Sequence, residues 1–133
     1  PSVKQFMDNN VELAEKQGYL RTFMGRIRHF PELKSPNYAV RAFGKRAAMN
    51  MPLQGSAADL IKIAMLKVNA ALKSGGYKAK MILQVHDELI IDCPHDEVDA
   101  IKTLIKKCME EAVTMKIPML ANVGIGQNWY EAK

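Results

Sequence analysis

The apolar positions of this chain fall into stretches of helical period and stretches of strand period, and the changes of period mark its elements. Val3, Phe6, Met7, Leu13 and Ala14 recur at near-helical spacing, which predicts an amphipathic helix over residues 2–17, ended by Gly18. YLRTFMGRIRHF follows, with two short strand-like runs either side of Met24-Gly25, a hairpin pattern. Pro31 and Pro36 punctuate the loop after it. Over residues 38–51, Val40, Phe43, Ala47 and Met51 share one side of a second helix. Pro52 should interrupt it, because proline has no N–H and its ring crowds the carbonyl of Ala48. Gly55 loosens the break, and helix is expected to restart behind Ser56, with Asp59 completing an S-x-x-D cap. That segment is apolar on much of its circumference, as a buried helix would be, and Ser74-Gly75-Gly76 ends it.

Two strand-like runs come next, residues 81–85 and 89–91, with only His86, Asp87 and Glu88 between them. The clearest helical stripe follows over residues 97–115, made by Val98, Ile101, Leu104, Ile105, Cys108, Met109, Ala112 and Val113. Asp96 and Glu97 suit its N-terminal end electrostatically, and Pro118 closes it. A last strand is expected over residues 119–125, running into GIGQNWYEAK. The order helix, hairpin, broken helix, hairpin, helix, strand is that of an α+β chain. Its small antiparallel sheet, the central hairpin plus the C-terminal strand, would pack against helices.

Composition narrows the class. With 133 residues, 48% apolar and 25% charged, the chain has the make-up of a soluble globular protein. It is long enough to bury roughly two thirds of its unfolded surface in one domain. No apolar run approaches the roughly 20 residues that cross a bilayer, and no secretory signal pattern opens the sequence, so no membrane partner is expected. Cys93 and Cys108 lack metal-ligand or redox spacing and suit a reducing, cytoplasmic setting as small buried side chains. The net charge of +5 is uneven: residues 1–50 carry nine Lys or Arg against four acids, and residues 51–133 carry ten of each. Every arginine lies in the first half, and the guanidinium fork matches phosphate, so the asymmetry points to a polyanionic partner. A solvated basic surface would show the same counts.

The acids between the strands raise a chemical question. Adjacent carboxylates at a tight reversal repel each other, and no Gly, Pro or Asn is present to make an ordinary turn. Successive strand side chains point to opposite faces, so Asp87 and Glu88 should not both grip one ion directly. One should touch it and the other should frame it. Carboxylates are the usual ligands of Mg²⁺, which takes one or two of them and leaves its other positions to substrate phosphates and water. His86 should project to the face opposite Asp87. Acidic turns also occur with no function, so the pair alone does not decide.

A second constellation lies upstream. Arg46, Asn50 and Gln54 are each four apart, a cation followed by two amides, which suits a backbone phosphate plus base-edge or sugar contacts. Arg41 and Lys45, also four apart, should line the same basic side. In GRIRHF, Arg26 and Arg28 should share one face of a strand, most simply a solvated one. Trp129 and Tyr130 read as packing anchors rather than stacking platforms.

Taken in order, GYLRTFMGRIRHFPEL, RAAMNMPLQGSAADLIKIAM, LQVHDELI and VGIGQNW resemble the C-terminal segment of family A DNA polymerases, the bacterial DNA polymerase I type, across essentially the whole chain. The resemblance implies a partial polymerase palm over residues 1–133, with a small fingers portion at about 19–36. LQVHDEL resembles the family's motif C. On that likeness Asp87 binds the catalytic divalent metals, two Mg²⁺ ions in a complete enzyme, and Glu88 supports the site. His86 contacts the primer terminus, and Arg46, Asn50 and Gln54 hold primer–template DNA. The implied reaction is nucleotidyl transfer from deoxynucleoside triphosphates.

Two parts of the family pattern are missing: the other metal-binding Asp with its Tyr-Ser-type neighbours, and the fingers helix that binds nucleotide. The chain by itself is therefore expected not to extend primers. Its sheet should have an unpaired edge, favouring low stability or self-association. A noncatalytic DNA-binding module that keeps the Arg46, Asn50 and Gln54 face is the alternative reading. A metal phosphohydrolase built on His86-Asp87 would need further helical His and Asp ligands, and His29 and His95 sit in no such pattern.

Overall fold

Gly18 ends the first helix as its sequence position predicts: α1 spans Ser2–Gln17, and Gly18 takes φ +81 while its N–H donates to Ala14 O. The structure is a computed structural model describing residues 2–132. Strands β1 (Tyr19–Arg21) and β2 (Ile27–His29) pair antiparallel, Leu20 opposite Arg28, and a 3₁₀ turn at Pro31–Lys34 follows. Helix α2 runs from Tyr38 to Ser74, strands β3 (Lys80–Val85) and β4 (Glu88–Asp92) form a second hairpin, and α3 spans Val98–Glu110. Helices and antiparallel hairpins in this order make an α+β chain.

The chain divides into two compact units, one ending at Asp59 and the other beginning at Leu60. In the first, Val11 and Ala14 of α1 meet Leu20, Phe30, Ala48 and Met51 in an apolar core. In the second, Val68 and Leu72 of α2 pack with Ala79, Ile101 and Ile105. Cys93 and Cys108 lie half-buried against that core. Burial, with the carboxylates of Glu97, Asp92 and Asp96 adding, pushes the Cys93 thiol above its ordinary value, which makes it a poor nucleophile. No described helix, α2 included, is long and apolar enough to cross a membrane.

Four sequence expectations are corrected. Helix α2 does not break at Pro52 but passes through it. Ser56 is not a cap: inside the helix its hydroxyl donates back to Pro52 O, and Asp59 is likewise engaged elsewhere. Helix α3 stops at Glu110 rather than near 115, where β-branched Val113 and Thr114 and then Pro118 disfavour continuation. The strand expected over 119–125 does not form. Met119, Leu120 and Ile125 are exposed and their backbone joins no ladder, and β-propensity without a neighbouring strand makes no sheet. The sheet that carries the acids is β3 and β4 alone.

Candidate active-site hairpin and nucleic-acid-binding face

The β3–β4 ladder runs to its limit. Lys80 pairs with Asp92, Met81 with Ile91, Leu83 with Ile90, Gln84 with Leu89 and Val85 with Glu88. Only His86 and Asp87 remain to reverse the chain. Two-residue hairpin turns require a positive φ, which glycine normally supplies. Here His86 takes it, at φ +53, the only non-glycine residue among those described to do so. Gln84 Nε2 donates to His86 O at 2.6 Å and braces the turn. Asp87 thus occupies the apex, and Glu88 is the first residue of β4. The register shifts between Met81 and Leu83, which leaves Ile82 as an extra residue on β3.

His86, Asp87 and Glu88 are all exposed. No hydrogen bond or ion pair engages the Asp87 or Glu88 carboxylate among the described residues; the ion pairs there are Arg26–Asp59, Lys45–Glu15 and Lys106–Glu110. Two adjacent anions without a cation form a site of unmet charge. The described residues gather no cluster of three or more metal-ligating side chains. One carboxylate with a framing neighbour still fits Mg²⁺, which binds through one or two carboxylates and completes its shell with phosphate and water.

The second hairpin end is set from its base. Glu97, read from the sequence as a helix-end charge, accepts the N–H groups of Lys78 (3.0 and 3.1 Å) and Ala79 (3.0 Å), fastening the entry of β3 to the start of α3. Nothing local in the sequence signals this bond, which joins residues 18 or 19 apart.

The polar helix face lies in the first unit. Since α2 is continuous, Arg46, Asn50 and Gln54 stand one above another on a single stripe, all exposed. Their flanking cations are less free. Arg41 Nη1 donates to Ser35 O and Pro36 O, both at 2.8 Å, and so ties down the loop before α2. Lys45 Nζ meets Glu15 Oε1 at 3.2 Å, both side chains nearly half exposed. Such a pair contributes only about 0–1 kcal/mol and holds Lys45 weakly.

Arg26 and Arg28 find different partners. Arg28 lies over the Phe30 ring, 5.2 Å from its centroid, while Arg26 turns to α2. There its Nε donates to Asp59 Oδ1 at 2.7 Å and its Nη2 to Gly55 O at 2.9 Å. Thr22 Oγ1 donates to Asp59 Oδ2 at 2.6 Å, and Phe23 N donates to Ser56 Oγ at 2.9 Å. Sequence reasoning missed this network because its bonds join residues 29 to 37 positions apart.

Residues 1–131 match the sequence pattern of DNA polymerase family A. The chain is 47% identical to DNA polymerase I of Caldicellulosiruptor bescii and 45% identical to that of Streptococcus pneumoniae serotype 4. Both alignments take in all 133 residues, which amount to 16% and 15% of those proteins. Among solved structures it is similar to the POL domain of Pol1 from M. smegmatis, in complex with DNA primer-template and dNTP. That match has a TM-score of 0.92 at 40% identity and covers 97% of this chain and 23% of the other. On the strength of both sequence and fold, the chain belongs to DNA polymerase family A.

Proposed function

We propose that this chain works as the C-terminal palm portion of a longer DNA-templated DNA polymerase, with residues 19–36 adjoining the fingers. The observation that carries the reading is a pair of unneutralised carboxylates, one at the apex and one on the first residue of β4, in a hairpin whose turn is forced through a left-handed histidine. Strained backbone of this kind persists where the surrounding structure over-determines it, and functional sites are where it gathers.

Asp87 is the metal ligand and Glu88 frames it from the first position of β4. His86 touches the primer terminus. Arg46 takes a backbone phosphate, and Asn50 and Gln54, which both donate and accept, probe the minor-groove edge of the paired end. Lys45 and Arg41 extend the basic side. Two Mg²⁺ ions, when bound, lower the pKa of the primer 3′-hydroxyl and neutralise charge on the triphosphate and leaving pyrophosphate. The protein's part is to hold that hydroxyl and the phosphates in line beside Asp87. The reading carries with it deoxynucleoside triphosphates as substrates, a bacterial cytoplasmic location and work in replication and repair.

In the full-length polymerase, Asp87→Asn is expected to cut primer extension by roughly a thousandfold or more, since a metal contact is worth several kcal/mol of the barrier. Affinity for primer–template should change little, because the phosphate contacts lie elsewhere. Equal loss of synthesis and DNA binding would make Asp87 a structural residue and sink the assignment.

A further inference from the structure

Helix α2 is weakest where its polar face should be most accurate. Pro52 has no N–H, so the Ala48 carbonyl lacks the donor that would close that turn, and Gln54 lies two residues further on. Residues two apart on a helix point to nearly opposite sides, so Pro52, Ser56 and Asp59 back the stripe that carries Asn50 and Gln54. The β1–β2 turn is fastened to that back side. Thr22 and Ser56, 5% and 6% exposed, are the buried polar residues of the described chain, and both are fully used there. The fit is close: a Cβ on Gly55 would stand 2.7 Å from Thr22 Cγ2.

We propose that Thr22, Arg26 and Asp59 are positioning residues. By clamping the hairpin turn to the proline-weakened segment of α2, they fix the rotation of Asn50 and Gln54 toward primer–template DNA. The inference rests on the polar face being the DNA contact. The clamp supplies from outside the helix what Pro52 removes from within it. Asp59 receives a donor on each oxygen, one neutral and one charged, and so holds the turn from two directions.

The test is a double-mutant cycle in the full-length polymerase, read as the dissociation constant for a matched and a 3′-mismatched primer–template, alongside the melting temperature. Asp59→Asn leaves one of the two donors without an acceptor, and Thr22→Val removes only the hydroxyl from a side chain of the same shape. Each should weaken binding by roughly fivefold to thirtyfold, the factor that one or two hydrogen bonds represent, and Thr22→Ser should restore it. In a Gln54→Ala background the same substitutions should have little further effect. An undiminished effect in that background, or none in the native one, overturns the clamp while leaving the DNA face standing. If Gln54→Ala alone leaves both constants unchanged, the DNA face itself falls, and the clamp with it. Should Asp59→Asn melt the protein, Thr22→Val decides.

Discussion

His86 sits where the backbone of an L-residue is penalised by about 1–2 kcal/mol. Its side chain is exposed, and the bond that braces the turn goes to its carbonyl, which any residue would supply. His86→Gly is therefore expected to keep or raise stability by up to about 1 kcal/mol, after the extra freedom of glycine in the unfolded chain is deducted. Urea unfolding of the 133-residue chain measures it, and a lower midpoint would show that the imidazole is held by contacts in the turn. The reversal that carries the acids was legible in the sequence, because polar residues between two apolar strand patterns mark a turn. The histidine's backbone was not. An alternating pattern locates a turn but does not reveal which residue carries the unfavourable angle.

Among the elements, α2 departs furthest from its sequence reading. Pro52, Gly55 and Ser56 spell a stop and a restart, yet helix runs through all three. Long-range bonds override the local signals, and those bonds also determine what Gly55 is for. A glycine inside a helix normally gains about 1 kcal/mol on replacement by alanine. Here the added methyl meets Thr22, so Gly55→Ala should instead destabilise by roughly 1–3 kcal/mol. A urea midpoint that rises would mean the hairpin turn yields at no cost. Amphipathic α1 was readable almost to the residue, because a regular stripe and a terminal glycine are local. The strand at 119–125 was misread because strand formation needs an edge to pair with, and no periodicity reports one.

At the scale of the whole molecule, what stands out is how much apolar surface the chain leaves uncovered. Ile82 and Leu83 on β3 are 60% and 47% exposed, and Ile117, Leu120 and Tyr130 are exposed further along. Each two-stranded sheet also has both outer edges free of a neighbouring strand among the described residues. Such edges and patches favour association. The 133-residue chain alone is expected to self-associate, its melting temperature rising with concentration, and to extend no primer with Mg²⁺ and nucleotides. Sedimentation and a primer-extension assay check both, and a monomer that polymerises would overturn the view that it needs the rest of a polymerase around it. The family was legible from motif order, whereas the tie between the β1–β2 turn and α2 became visible only in three dimensions.

The additional residue on β3 bears on how such a hairpin is tuned. An extra residue on one strand coils a ribbon more tightly, so Ile82 governs the heading of everything beyond it. The acidic tip is thus steered like the end of a crank from an uncharged joint near its root. Editing that aliphatic joint would re-aim the acids without touching either of them.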